Sequence, residues 1–246
     1  MTVSLILPVY QAREDWLDQC LASIKAQTYK DIELIRIDDV KGAWAARNRG
    51  LALATGDYVA FCDADDYLEP DAIEKMVKAI DGVDMVCGSF RKFGDFETTV
   101  SHYAQVLGQE HVAGYVMSNL LNPRKNQMLS GCWAKLYRRS IIGRFPELVT
   151  AEDMAWNFDC LKRCDAIRFI PDIVYHNRKH SDSLTTIFDG SRGLFEFMGG
   201  LKYVNRFLDG FYPRDEIDDA LDTAKVYHAM LYAERIGQGA LKKVFP

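Results

Sequence analysis

The chain has 246 residues, of which 48% are hydrophobic and 26% charged, and its formal net charge is -5. This length suits one large α/β domain or two small ones, and the composition is that of an ordinary globular protein. The acidic balance argues against nucleic-acid binding, and no apolar run approaches the roughly 20 residues that cross a bilayer.

No metal-finger spacing occurs among the six cysteines, Cys20, Cys62, Cys87, Cys132, Cys160 and Cys164. Small, buried and reduced thiols are the expectation for such a set, which favours a cytoplasmic location. The first residues, "MTVSLILPVYQAR", read as a strand and not as a signal peptide, because they lack a basic leader and a small-residue cleavage site. We therefore expect a cytoplasmic protein, with peripheral contact at the inner face of a membrane as an open alternative.

The first ninety residues alternate between apolar runs and amphipathic stretches. The runs predict strands at 3–10, 32–39, 57–66 and 83–90. The amphipathic stretches predict helices at 15–29, 43–56 and 69–80, and Gly56 is expected to cap the second helix. Strand and helix in strict alternation predict an α/β fold with a mainly parallel, doubly wound sheet.

Polar side chains follow three of these predicted strands: Tyr10, the pair Asp38 and Asp39, and the cluster Asp63, Asp65 and Asp66. In open α/β sheets, ligands bind at the carboxyl ends of the strands. Carboxylates packed together raise each other's pKa, so they need donors or a cation beside them. A divalent metal that also binds phosphates is a common solution, and the cluster is predicted to form part of such a site.

The later part of the chain predicts a helix near 109–121, which ends before Asn122 and Pro123, and a helix over 150–164. The second of these opens with Glu152 and Asp153 in its first turn, where the helix dipole favours anions. A strand or two and a polar, histidine-containing loop are predicted over 167–186. The chain from Asp189 onward is predicted to be helical.

Six segments in this order resemble an inverting family 2 glycosyltransferase of the GT-A fold. They are "VSLILPVYQ", "LDQCLASIKAQTYKDIELIRIDD", "AARNRGLALATGDYVAFCDADD", "CWAKLYRR", "AEDMAWNFDCL" and "YHNRKHSDSLT". The resemblance spans roughly residues 3 to 185. It implies a Rossmann-like domain over 1–188, with a nucleotide-binding half over about 1–90 and an acceptor half over about 91–188. Residues 189–246 are then a helical C-terminal extension.

The resemblance implies a nucleotide-sugar site built from Pro8, Tyr10, Asp38, Asp39, Arg47, Asp63, Ala64 and His180. Tyr10 and Asp39 would contact a pyrimidine base, and Asp63 would lie nearer the ribose. Arg47 would face the nucleotide or the acidic cluster. Asp65, with Asp63, would bind Mn²⁺ or Mg²⁺ through the diphosphate, and His180 would lie near the diphosphate or the metal.

Asp153 matches the family's catalytic base. The residue types suit this chemistry without the family, because a leaving diphosphate needs neutralisation and an attacking hydroxyl needs a base. The implied reaction is an inverting transfer from a nucleotide-diphosphate sugar, most commonly a UDP-sugar, to a glycan or lipid-linked glycan acceptor in cell-surface polysaccharide assembly. The helical extension is expected to bind the acceptor, form a dimer or touch a membrane surface.

The chain departs from the family pattern after Asp39. Family members place a further helix and strand before the "ARN" segment, whereas only "VKGAWAA" separates Asp39 from Arg47. We therefore expect the strand at 32–38 to be an exposed sheet edge, and the wall beside the base to be incomplete. This shortening keeps a second hypothesis open, in which the chain binds nucleotide-sugar or acts as a scaffold without catalysis.

Other functions fit the sequence less well. An aspartyl-phosphate phosphatase also places D-x-D after a strand, but it would have Thr or Val where Tyr67 stands. A calcium-binding loop that starts at Asp63 would need Gly where Leu68 stands. Trp133 and Trp156 are expected to pack in the core and not to stack on a sugar.

Overall fold

The computed structural model describes residues 1–95, 97–121, 131–149, 151–180 and 190–244. Its strands are β1 Val3–Val9, β2 Ile32–Asp38, β3 Tyr58–Phe61, β4 Tyr67–Leu68, β5 Met85–Gly94, β6 Thr98–Val100, β7 Gln105–Gly108, β8 Lys135–Arg138 and β9 Ala166–Lys179. Its helices are α1 Glu14–Lys25, α2 Ala43–Leu53, α3 Ala72–Ala79, α4 Gln109–Leu121, α5 Glu152–Leu161, α6 Gly190–Leu208 and α7 Arg214–Val244. The predicted 181–186 loop, the Asn122–Pro123 break and the 188/189 domain boundary lie outside the described residues.

All nine strands form one sheet, in the order β2-β1-β3-β8-β5-β9-β4, with β6 on β5 and β7 on β9. Strand β1 pairs in parallel with β2 and β3, and β5 pairs in parallel with β9. The predicted α/β class is confirmed, but the sheet is mixed, because β8 lies antiparallel between β3 and β5. The fourth predicted strand is therefore not next to the third.

Helices cover both faces of the sheet. The alternation of β1 sends Leu5 and Leu7 to the face covered by α1 and α3, and Ile6 to the opposite face. Helices α2, α4 and α5 cover that opposite face, and α6 and α7 contribute to the same core cluster through side chains such as Val204. The residues of α6 and α7 are thus helical, as predicted, and these helices pack against α5 and α4.

Strand β2 is an edge of the sheet, as the short connection after Asp39 predicts. Within the described residues it pairs only with β1, and Leu34 on it is 42% exposed. One face of β2 is still covered, since Ile35 and Ile37 pack in the same cluster as Ala46 of α2. Helix α2, which follows β2 after this short connection, therefore packs directly on β2.

The prediction that Gly56 caps the second helix is wrong. Helix α2 ends at Leu53, and the capping position is Ala54. Gly56 is required for another reason: a Cβ atom there would lie 2.7 Å from the Thr2 carbonyl oxygen and 2.8 Å from the Ser4 nitrogen. The glycine allows the chain to approach the start of β1 closely before it enters β3.

Candidate active site

The base-binding residues predicted from the sequence lie at adjacent strand ends. Val9 is paired with Asp38 in the β1–β2 register, and the Asp39 amide donates to the Val9 carbonyl at 3.0 Å. This places Tyr10 and Asp39 next to each other at the carboxyl edge of the sheet. Tyr10 is 44% exposed, so its ring is available to a ligand.

Asp38 is paired with a neighbour on its own strand. Its carboxylate pairs with Arg36 at 2.7 Å, and both side chains are largely exposed. Pro8 lies within β1, opposite Ile37, and Ala64 is buried in the turn between Asp63 and Asp65. Among the described residues, no hydrogen bond joins these positions or Tyr10 to the acidic cluster.

Arg47 is the centre of that cluster. Its guanidinium donates to Asp63 at 2.9 Å, to Glu152 at 2.8 Å and to Asp153 at 2.6 Å. The side chain is 5% exposed, so the pairs are shielded from water. Of the two predicted contacts of Arg47, the nucleotide and the acidic cluster, the structure shows the second, through Asp63. Arg47 thereby connects Asp63, which follows β3, to Asp153, the predicted catalytic base.

One guanidinium cannot neutralise three carboxylates, and the pKa values reflect the deficit. Burial and the nearby Asp153 raise the pKa of Glu152 to about 8, against the opposing effect of Arg47. Burial also raises the pKa of Asp153, although Arg47 and the Cys132 amide, 3.4 Å from its carboxylate, favour the charged form. We conclude that Glu152 holds a proton near neutral pH, while Arg47 and the Cys132 amide oppose the effect of burial on the pKa of Asp153.

Asp65 and His180 form a second polar pair at the same edge. The Nε2 of His180 lies 3.0 Å from Asp65 Oδ2, and the imidazole packs on Trp16 with ring centroids 4.6 Å apart. Burial and the neighbouring Asp63 raise the pKa of Asp65, and the contact with His180 opposes this. The Asp65 side chain is 35% exposed, so a ligand can reach it.

The loop beside Asp153 is held by buried polar side chains that were not predicted to take part. Lys135 Nζ donates to the Gly131 carbonyl at 2.6 Å, and Asn157 donates to the same carbonyl at 3.1 Å. Tyr137 Oη lies 3.2 Å from the Cys132 carbonyl. These contacts hold the Cys132 amide towards Asp153. No local sequence signal marks them, because each is simply a polar residue in an apolar segment.

Trp156 is fully buried, which confirms its predicted place in the core. Trp133 is half-buried and stacks on Tyr175, with ring centroids 5.1 Å apart. It therefore packs against the residue that contacts Asp63 through its hydroxyl.

Left-handed backbone concentrates around the site. Four non-glycine residues of the described chain have positive φ: Gln11, Asp39, Ala134 and Ala151. Each adjoins a candidate site residue or the loop beside Asp153, and Ala151 directly precedes Glu152. Such conformations cost of order 1–3 kcal/mol and persist where the surrounding structure enforces them.

Whether Asp65 and His180 can hold a metal ion depends on the other ligands that the ion brings with it. Among the described residues, no group of three or more His, Cys, Asp or Glu side chains is arranged to hold a metal ion. Asp65 and His180 nevertheless supply oxygen and nitrogen atoms within 3.0 Å of each other. Mg²⁺ and related ions often bind through one or two carboxylates and the phosphates of a nucleotide. The residues present fit a cation that arrives with a diphosphate.

The sequence and the fold were compared with known proteins. Relatives in Bacillus subtilis include the putative glycosyltransferase EpsH, which is 29% identical over 266 residues, covering 93% of this chain and 75% of EpsH. The uncharacterized glycosyltransferase EpsJ is 25% identical, with 75% of this chain and 63% of EpsJ covered. A crystal structure of Staphylococcus aureus TarS 1-349 in complex with UDP-GlcNAc superposes with a TM-score of 0.70 at 18% identity. That match covers 91% of this chain and 71% of the TarS chain.

These comparisons also bear on the short connection after Asp39. The alignment with EpsH is longer than this chain, so EpsH carries residues within the matched span that this chain lacks. The model for "Glycosyl transferase family 2" matches in two pieces, residues 4–41 and 40–145, which meet at this connection. The two pieces cover more than half of the chain. The chain belongs to glycosyl transferase family 2.

Proposed function

We propose that this glycosyltransferase moves a sugar from a UDP-sugar to a hydroxyl acceptor with inversion of configuration. The observation that carries the proposal is the position of Arg47, which joins the donor-side Asp63 to Asp153 in one shielded cluster. Asp65 and His180 lie beside that cluster at the same edge of the sheet. The UDP-GlcNAc complex of TarS, a protein of the same fold, supports a uridine nucleotide as the donor carrier.

In this proposal, residues at different strand ends bind different parts of the UDP-sugar. Tyr10 and Asp39 contact the uracil, since their strand ends adjoin and Tyr10 is exposed. Asp63 contacts the ribose, and Pro8, Asp38 and Ala64 line the same edge. The open side beside β2 leaves the base with one wall fewer than in relatives that carry the additional segment.

Asp65 and His180, with Asp63, hold Mn²⁺ or Mg²⁺ together with the diphosphate. When bound, the cation supplies charge neutralisation for the leaving nucleoside diphosphate. Asp65 suits this role because, at 35% exposure of its side chain, it is the most accessible of the three carboxylates in the turn.

Asp153 removes the proton from the acceptor hydroxyl. Burial raises the pKa of Asp153, which suits a group that has to accept a proton, and Arg47 and the Cys132 amide oppose that rise. A single displacement at the anomeric carbon, assisted by one base, inverts the configuration. We propose that Glu152, which shares Arg47 with Asp153, orients that guanidinium and stays protonated.

The acceptor is proposed to be a growing glycan or a lipid-linked glycan, on the strength of the family resemblance. The six cysteines are all free and buried, which supports the proposal of a reducing, cytoplasmic location. Among the described residues, no helix is long and apolar enough to cross a membrane. We propose that α6 and α7 provide any peripheral membrane contact or a homodimer interface.

The first test is a calorimetric titration of UDP, with and without Mn²⁺, on wild type and Asp65→Ala. We expect Mn²⁺-dependent binding that Asp65→Ala abolishes. Asp31→Ala is the matched control, because Asp31 lies at the opposite end of the parallel strands. If UDP, GDP and dTDP all fail to bind wild type, the donor site is not functional and the scaffold hypothesis takes its place.

The second test separates a transferase from a nucleotide-sugar binder. Asp153→Asn should lower transfer by about 10²–10⁴-fold, which is the usual contribution of a general base. UDP binding should be unchanged in the same variant. Turnover at the wild-type rate would contradict the role of Asp153, and UDP-sugar binding without turnover in wild type would favour the binder.

A further inference from the structure

Asp66 is a buried carboxylate whose hydrogen bonds are already satisfied. It is 1% exposed, although it directly follows Asp65. Its Oδ2 accepts from Tyr175 Oη at 2.8 Å and from Asn177 Nδ2 at 3.0 Å, and its Oδ1 accepts from the Arg178 amide at 2.6 Å. A carboxylate with three donors and no access to solvent is poorly placed to bind a cation.

The donors to Asp66 all belong to the last residues of β9. Two further hydrogen bonds join the same segments: the Asp63 amide donates to Tyr175 Oη at 3.0 Å, and Arg178 Nε donates to the Asp65 carbonyl at 2.9 Å. Five hydrogen bonds therefore fasten the Asp63–Asp66 turn to β9. Tyr175 has a central place among them, because its hydroxyl contacts both ends of the turn.

This attachment also determines where His180 lies. Strand β9 ends at Lys179, so His180 directly follows the fastened residues. Arg178 packs on the Trp16 ring, with its guanidinium carbon 4.9 Å from the ring centroid, and His180 packs on the same ring. The separation of Asp65 and His180 is thus set by the docking of the turn on β9, since their mutual contact is a single hydrogen bond.

We propose that Asp66 and Tyr175 are positioning residues for the cation that accompanies the donor diphosphate. They fasten the Asp63–Asp66 turn to β9 so that Asp65 and His180 face the same ion. The inference rests on the proposed function, and it adds roles for residues that do not themselves touch the ion or the nucleotide. Partners of this kind commonly change metal affinity by 10–100-fold when they are replaced.

The test is the affinity of the protein–UDP complex for Mn²⁺, measured by calorimetry or by electron paramagnetic resonance, on Tyr175→Phe and Asp66→Asn. Tyr175→Phe removes both bonds of the hydroxyl and keeps the ring that stacks on Trp133. We expect each variant to bind Mn²⁺ about 10–100-fold more weakly than wild type. Uridine, which lacks a diphosphate, should bind independently of Mn²⁺ in wild type and in both variants.

Tyr137→Phe is the matched control. Tyr137 is as fully buried as Tyr175, and its hydroxyl also has two partners, the Cys132 carbonyl and Asn157. The substitution therefore removes a similar number of contacts from the loop beside Asp153 and leaves the Asp63–Asp66 turn in place, so it is a control for metal affinity and not for transfer. Mn²⁺ affinity should be unchanged in it, so an equal loss in Tyr137→Phe would mean that general destabilisation, and not positioning, explains the effect.

A second readout needs neither metal nor nucleotide. Amide hydrogen exchange over 63–66 should accelerate in Tyr175→Phe, and it should stay at the wild-type rate in Tyr137→Phe. Wild-type Mn²⁺ affinity in both Tyr175→Phe and Asp66→Asn would overturn the inference and leave the proposed function intact. If wild type itself binds no Mn²⁺ with UDP, the proposed function fails, and the inference fails with it.

Discussion

Carboxylates lie at both ends of the parallel strands, but the two ends differ in how many hydrogen-bond donors surround each carboxylate. At the amino ends, Glu33 accepts from Ser4 Oγ at 2.5 Å and from both the amide and the hydroxyl of Thr55 at 2.9 Å. These hydrogen bonds lower its pKa. At the carboxyl ends, Glu152 and Asp153 share one guanidinium with Asp63, and burial raises the pKa of Glu152 to about 8.

The difference distinguishes a structural role from a functional one. Glu33 has its own set of donors, and its hydrogen bonds join β2 to the turn before β3. The carboxyl-end cluster has too few donors for its carboxylates, which is costly unless a ligand supplies the missing charge. The same residue type therefore stabilises one end of the sheet, and at the other end it suits the donor site that we propose.

The largest expected effect is from Arg47→Ala, which leaves three carboxylates in a shielded site without their cation. We expect a loss of about 3–5 kcal/mol in the free energy of unfolding, as when one partner of a buried ion pair is removed. Urea denaturation at pH 7.5 measures it. Arg36→Ala is the control, because its exposed pair with Asp38 should contribute less than about 1 kcal/mol. Equal losses in the two variants would contradict the comparison.

At the opposite end, Ser4→Ala removes the donor to Glu33 and the acceptor of the Gly56 amide. We expect a loss of about 1–3 kcal/mol, because buried groups lose their partners. The lowered pKa of Glu33 stabilises the wild type above the ordinary pKa of 4.5, and this contribution is lost as the pH falls. Ser4→Ala should therefore lose less stability on acidification than wild type, with unchanged UDP affinity. Weakened UDP binding in Ser4→Ala would contradict the comparison, because it would show that contacts at the amino ends of the strands affect the site at their carboxyl ends.

The raised pKa of Glu152 predicts a pH dependence of the opposite sign. Its folded-state pKa of about 8 lies above the ordinary value of 4.5, so the folded protein binds the extra proton between these values. Stability from this group is complete below about pH 4.5 and is lost as the pH rises through 8. The slope is at most about 1.4 kcal/mol per pH unit. Denaturation of Glu152→Gln between pH 5 and 8 should show a flatter profile, and an identical profile would refute the assignment.

The smallest effect on stability is expected at Tyr10, which is exposed. Tyr10→Ala should change the free energy of unfolding by less than about 0.5 kcal/mol. It should weaken UDP binding by about fivefold or more, because a base stacked on an aromatic ring contributes about 1–3 kcal/mol. Calorimetry with UDP measures this loss, and the affinity of the UDP-saturated protein for Mn²⁺ should not change. Unaltered UDP affinity would remove Tyr10 from the base site.

The elements that were predictable have local causes. Continuous apolar runs gave β1 and β2, and acidic residues after a run marked the Asp63–Asp66 turn. The acidic first turn of α5 also followed from neighbouring residues, whereas the open edge at β2 followed from the family resemblance, against which the connection after Asp39 is short. Signals of this kind involve only a few neighbouring residues, so they can be recognised without knowledge of tertiary contacts.

The features that escaped prediction depend on residues far apart in the chain. Tyr175 meets Asp66 across 109 positions, and Arg47 meets Asp153 across 106. Strand β8 has only four residues, and nothing within it indicates that it would lie antiparallel between β3 and β5. Such pairings are decided by packing of the whole sheet, which periodicity does not report.

The open edge of β2 has a consequence for the rate at which its amides exchange with solvent. The Val3 amide bonds to Asp31, and the Asp39 amide bonds to Val9. In a parallel ladder with this register, Glu33, Ile35 and Ile37 direct their amides to β1, while the residues between them direct theirs outward. Deuterium uptake along β2 should therefore alternate residue by residue, with Leu34 and Arg36 exchanging fast between protected neighbours.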